Sequence, residues 1–156
     1  MIAAGPTHLR LDAEHTVLAF DSSDEVVLSL GVHTIGNGFF RHDPPTALEI
    51  EQAIDAIEDA MANIRLPSAE RGDLATNEPL LQAWVTIPPI GVSTRLTRDE
   101  VEAIFERLAS AALGRPGELT GLPTDRNAAA ALLILRECMH HLGFDGIDIL
   151  SSQMPG

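Results

Sequence analysis

The chain has no tyrosine, one tryptophan (Trp84) and five phenylalanines in 156 residues. A core must therefore be assembled from Leu, Ile, Val, Ala and Met, and few side chains are on hand to stack on nucleic-acid bases. Cysteine is nearly absent, and Cys138 alone excludes an intramolecular disulfide. No apolar run approaches the ~20 residues that a membrane-spanning helix needs. The N-terminus lacks the basic segment and apolar stretch of a secretory leader. These absences predict a reducing, cytoplasmic setting and no membrane partner. Positive charge is scarce as well: ten Lys and Arg face 23 Asp and Glu, for a formal net charge of −13. Such a field repels polyanions, so nucleic acid is not expected as a partner and free polyphosphate is disfavoured.

What is present suffices for one globular domain over residues 1–156, since 45% of the residues are hydrophobic and 21% charged. Thr7 to Leu11, His15 to Phe20 and Glu25 to Ile35 are rich in Val, Leu, Ile and Thr and are separated by the turn-formers Asp12-Ala13-Glu14 and Asp21-Ser22-Ser23-Asp24. Short connections predict an antiparallel three-stranded meander, which Gly31, Gly36 and Gly38 then break into a bend and a loop. Asp43-Pro44-Pro45-Thr46 opens a helix whose buried face is Ile50, Ile54, Ile57, Met61 and Ile64. Its acidic residues Glu49, Glu51, Asp55, Glu58 and Asp59 fit a solvated face. Leu66 to Pro79 reads as a surface connection. Leu80 to Ile87 reads as a strand stopped by Pro88-Pro89.

Thr97 and Glu100 form a capping-box pattern ahead of a stripe of Val101, Ile104, Phe105 and Leu108. The last helix, from Thr124 or Asp125 to His141, is apolar nearly all round between Ala128 and Leu135, which predicts the most buried element. Gly143 is placed to cap it, Ile147 to Leu150 form a closing strand, and the residues from Gln153 onward fray. The predicted order is β-β-β-α-β-α-α-β, an α/β domain with a mixed sheet whose antiparallel part comes first.

Chemistry-bearing residues do not form a recognisable catalytic or metal motif. His140-His141 are adjacent on a helix and point about 100° apart, so they read as imidazoles favourably placed at a helix C-terminus. His33, and His42 with Asp43, match no closed zinc spacing. Ser93 and Thr94, in the turn Gly91-Val92-Ser93-Thr94, read as local caps. Cys138, within a helical apolar pattern, reads as a small buried hydrophobe.

The capped helix at Thr97 and the run Gly121-Leu122-Pro123-Thr124-Asp125-Arg126, followed by Leu142-Gly143-Phe144-Asp145-Gly146-Ile147-Asp148-Ile149, resemble the C-terminal region of the exopolyphosphatase/guanosine pentaphosphate phosphohydrolase (Ppx/GppA) family. Leu30-Gly31-Val32-His33-Thr34-Ile35, Phe39 and Pro44-Pro45-Thr46 extend the similarity. The resemblance implies a single ribonuclease-H-like lobe of the actin/hexokinase type, without the upstream lobe that carries the family's catalytic carboxylate. Placed without gaps, Met1-Ile2-Ala3-Ala4-Gly5-Pro6-Thr7-His8-Leu9 lies on the family's glycine-rich phosphate loop, and Pro88-Pro89-Ile90 on its second one. The resemblance therefore implies phosphate-loop remnants at Gly5, Thr7, His8, Gly91, Ser93 and Thr94. Their glycines and N–H donors are depleted, His8 replaces an acid and Thr34 an arginine. It further implies a catalytically silent binding or assembly module with no cofactor. The alternative is half of a phosphoanhydride hydrolase that would use Mg when completed by a separate N-terminal lobe. A lobe standing alone exposes surface built to be covered, so a homodimer or that separate lobe is the expected partner, with Ile2, Trp84, Ile87 and Ile90 as apolar anchors.

Overall fold

The computed structural model describes residues 5–20, 24–64, 66, 73–85 and 93–150. The strands are β1 (Thr7–Leu11), β2 (Thr16–Ala19), β3 (Glu25–Leu28), β4 (Leu74–Thr76), β5 (Ser93–Thr97) and β6 (Gly146–Leu150). The helices are α1 (Val32–Phe39), α2 (Ala47–Met61), α3 (Pro79–Gln82), α4 (Arg98–Ala112) and α5 (Arg126–Leu142), with a 3-10 turn at Pro116–Leu119. One six-stranded mixed sheet has the order β3-β2-β1-β4-β6-β5. The expected meander forms its first half, with His8 opposite Ala19 and Thr16 opposite Leu28 in antiparallel pairs. β4 and β6 continue it in parallel with β1, and β5 closes the far edge antiparallel to β6. Alternation along β1 buries Thr7, Leu9 and Leu11 on one face and leaves His8 and Arg10 exposed on the other.

The helical core centres on α5. Every residue from Ala128 to Leu135 is at most 1% exposed, and α1, α2, α3 and α4 all pack against it. Asp125 caps its start, accepting from the Ala128 N–H at 3.0 Å. Gly143 ends it in the left-handed conformation (φ 80°), a backbone state that costs glycine nothing. The Thr97 capping box is present in both directions, with Glu100 N–H donating to Thr97 Oγ1 at 3.2 Å and Thr97 N–H to Glu100 Oε1 at 2.9 Å. Cys138 is fully buried, and burial pushes its thiol up to about 12.

The α/β class and the mixed sheet stand, while the chain holds more elements than the expected order. The third strand, predicted to reach Ile35, stops at Leu28, and Val32–Phe39 is a helix instead. Val32 and Ile35 share its buried side. Gly36 serves a close approach, since a Cβ there would lie 2.8 Å from Asn127 Oδ1 on α5. The surface connection predicted from Leu66 to Pro79 contains β4, too short to show a period but central in the sheet. The strand predicted from Leu80 is helical at its start: Pro79 opens α3, where its missing N–H is harmless. The turn predicted at Gly91–Thr94 gives way, from Ser93, to β5. The helix expected to start at Pro44-Pro45 is capped by Thr46, and Glu49 closes the box from a buried position rather than a solvated one. Gln153 onward and Ile87 lie outside the described residues.

The buried stripe of α2 runs through Ile50, Ala53, Ile57 and Met61, with Ile54 only partly covered. Ile57→Asp should cost several kcal/mol by burying an unpaired carboxylate. Asp55→Asn, on the exposed side, should stay within about 0.5 kcal/mol of the parent. Urea denaturation of both variants checks the helix phase, which is wrong if their midpoints coincide.

Candidate functional site

Open α/β sheets present ligand-binding groups at the carboxyl ends of their parallel strands, here those of β1, β4 and β6. At that end β1 turns through Asp12–His15, closed by Asp12 N–H donating to the His15 carbonyl at 2.8 Å. The start of α1 faces this turn. Val32 N–H donates to the Asp12 carbonyl at 3.1 Å, and His33 and Thr34 N–H to the Ala13 carbonyl at 2.9 and 3.3 Å. Gly31 N–H is taken by Thr34 Oγ1 at 3.2 Å. The exposed N–H groups of a helix start are a ready-made anion site, and in this chain the first three point at backbone oxygens of their own fold. The contact requires glycine at 31, because a Cβ there would lie 2.6 Å from both the Ala13 carbonyl carbon and its oxygen and closer still to the Asp12 oxygen.

Nearby side chains add negative charge. Glu78, at the end of β4, accepts from Leu11 N–H at 3.1 Å and finishes the backbone pairing of β1. An open pocket of about 440 Å³ beside the α1 start is lined by Glu14, His15, Ser29, His33, Thr34 and Asn37.

Among the described residues, the phosphate-loop remnants Gly5, Thr7 and His8 lie apart from Thr94. Gly5 is half-buried ahead of β1, Thr7 is buried with its N–H on the Asp73 carbonyl at 3.0 Å, and His8 projects from the exposed sheet face. Thr94 lies on β5, which runs opposite to β1. The pairings Thr7 to Leu74, Leu74 to Ile147 and Ile147 to Leu96 form one row, and Thr94, Ile149 and Thr76 form another. β1 and β5 thus begin at opposite ends of the sheet, which sets Thr7 and Thr94 apart. Ser93 opens β5, and Gly91 lies outside the described residues. Trp84, expected as an interface anchor, is 3% exposed and donates its indole N–H to the Ala128 carbonyl at 2.9 Å. It is a core residue because the polar edge of its ring finds a partner at the start of α5. Ile2, Ile87 and Ile90 lie outside the described residues.

Two further polar groupings were not foreseen. In a groove of about 820 Å³ along α2, Glu49 accepts from Arg41 N–H at 3.1 Å and meets His42 Nδ1 at 3.0 Å. Burial alone would raise its carboxyl, but the bonds from Thr46, His42 and Arg41 outweigh it and hold the group below the usual range. The other grouping lies between α2, α4 and α5. Arg136 grips Glu102 through Nε and a second nitrogen at 2.8 and 3.2 Å, reaches Glu137 Oε2 at 2.7 Å and stacks 4.0 Å over the Phe105 ring. The Arg136 hydrogen bonds hold the Glu102 carboxyl low. Burial pushes Glu137 up despite Arg136. His140 and His141 diverge as the helix geometry predicts: His140 meets Glu102 at 3.2 Å, and His141 meets Glu58 at 3.3 Å. The sequence signal was the i, i+4 spacing of Glu137 and His141, hidden within an apolar run.

No family model matches the chain, and no curated protein does. Solved structures do. The chain is similar to the Ppx/GppA enzyme of Aquifex aeolicus, with a TM-score of 0.73 at 12% identity, covering 97% of this chain and 54% of that one. It is also similar to an exopolyphosphatase-like protein (TM-score 0.67, 9% identity, 95% and 55% coverage) and to an exopolyphosphatase from Cytophaga hutchinsonii (TM-score 0.55, 10% identity, 94% and 53% coverage). The fold is therefore the α/β, ribonuclease-H-like one found in Ppx/GppA phosphatases, and the chain spans about half the length of these relatives. Among the described residues no helix is long and apolar enough to cross a membrane.

Gly31→Ala should force the α1 start off the β1–β2 turn and destabilise the fold by roughly 1–3 kcal/mol, the range for overpacking a filled site. Thermal melts of this variant beside Gly38→Ala, where a Cβ meets nothing within 4 Å, measure the difference; equal melts would refute the close contact. Glu49 gives a pH signature. Its lowered folded pKa contributes stability that is fully present above the unfolded carboxyl value and is lost as pH falls through the folded one. Glu49→Gln should accordingly flatten the fall in melting temperature on acidification, which a melt series across that range reads directly.

Proposed function

We propose that this chain is a Ppx/GppA-like phosphatase domain that is catalytically silent alone and acts as a binding or assembly module. The observation that carries this reading is the start of α1, whose N–H groups are spent on the Asp12 and Ala13 carbonyls. A phosphoryl group is held in place by preorganised donors, and donors already paired inside the fold have none to offer. The carboxylates of Glu14 and Glu78 nearby, within a chain of net charge −13, add repulsion. The partner of the module is a second copy or a separately encoded lobe.

One observation favours a second reading. The chain covers only about half of the Ppx/GppA and exopolyphosphatase chains it resembles, as would half of a phosphoanhydride hydrolase whose site is completed by another lobe with Mg. Phosphate release from polyphosphate, guanosine pentaphosphate and ATP, measured with Mg present, tests the first reading: the purified chain should give none. Steady turnover by the chain alone would overturn it. Sedimentation over a range of concentrations reads the assembly, and a monomer throughout would remove the second copy as the partner.

A further inference from the structure

The geometry points to a zinc site formed by Glu58 of α2 with Glu137 and His141 of α5, a water completing the coordination. His141 Nε2 lies 3.1 Å from Glu137 Oε1 and 3.3 Å from Glu58 Oε2, and all three ligand atoms fall within 4.8 Å of one another. A tetrahedral Zn²⁺ with bonds of ~2.0–2.1 Å to N and O sets its ligand atoms about 3.3 Å apart. Two edges of that tetrahedron are thus already in place around the imidazole nitrogen.

Hydrogen bonding alone serves this arrangement poorly. A neutral imidazole nitrogen carries one proton or one lone pair, yet His141 Nε2 faces two carboxyl oxygens. A cation between them would take a lone pair from each of the three atoms. Charge points the same way. Arg136 is committed to Glu102 and to the far oxygen of Glu137, while Glu137 Oε1 and Glu58 Oε2 both face the His141 imidazole.

The surroundings fit as well. Glu137 is 2% exposed and held in place by Arg136 on Oε2, which leaves Oε1 directed at the site, the kind of outer support that orients metal ligands. The Glu58 and His141 side chains are 42% and 43% exposed, so an ion can enter from solvent and a water can reach the open position. An imidazole with two carboxylates suits Zn²⁺ better than Mg²⁺, which prefers six oxygens. Bound there, the ion would tie α2 to α5.

The test is calorimetric titration of the metal-free chain with Zn²⁺, together with visible absorption of Co²⁺ as a geometric probe and thermal melts with and without metal. One saturable Zn²⁺ per chain, intense tetrahedral Co²⁺ bands and a raised melting temperature are expected. Glu58→Gln and His141→Ala should each weaken Zn²⁺ binding by at least about tenfold, with circular dichroism confirming that both variants fold. His33→Ala, remote from the cluster in the fold, should bind as the parent does. Absence of saturable binding, or binding equally strong in the Glu58→Gln and His141→Ala variants, overturns the site.

Discussion

The structure depends on burying one helix on every side. From Ala128 to Leu135, α5 exposes almost nothing, and four other helices are arranged by the need to cover it. Four consecutive alanines at its start keep the cylinder narrow there, so neighbours come close: Gly36 of α1 lies against Asn127, and the Trp84 indole reaches the Ala128 carbonyl. Each buried Leu or Ile contributes about 1.5–3 kcal/mol, against a net stability of roughly 5–15 kcal/mol for an ordinary domain. Losing the cover on one side of α5 is therefore enough to decide whether the domain folds.

The same economy of contacts shapes the end of the sheet where a ligand would be sought. Glu78 completes the pairing of β1, Thr76 Oγ1 donates to the Leu9 carbonyl at 2.9 Å, and the β1–β2 turn receives the first N–H groups of α1. Polar groups in these places are used to finish the fold. A second concentration of polar side chains sits elsewhere, on the helix side, where Arg136 and its carboxylates form a seam between α4 and α5. Likeness of fold to phosphatases thus coexists with a different distribution of available donors and charges, in keeping with the general independence of fold and site.

Much of the architecture was legible in the sequence where local signals and tertiary demands agree. The meander, the Thr97 box, the Asp125 and Gly143 caps and the burial of α5 all rest on short-range patterns with a clear physical meaning. The failures share a cause. α1 was read as strand because Val32, Thr34 and Ile35 favour strands; its helix is stabilised by carbonyls twenty residues away in sequence and by contact with α5. β4 spans three residues, below the length at which alternation can show, and its identity comes from the strands on either side. Strand direction in the sheet, invisible in the linear sequence, also sets Thr7 and Thr94 apart. Glu137 escaped notice because a carboxylate within an apolar run gains its meaning from Arg136, Glu58 and His141, two of them on its own helix and one on another.

The order in which the chain is made gives α5 a further importance. During synthesis the meander, α1, α2 and α4 are all made before residues 126–142 exist, and until then the faces that will pack on α5 have nothing to cover them. Local strand pairing can begin early, but the core cannot close until that late segment has threaded into the middle of elements already formed. Unpaired apolar surface in a growing chain invites association with other chains. The acidic surface opposes such encounters through mutual repulsion, keeping apart nascent copies whose cores are still waiting for their centre.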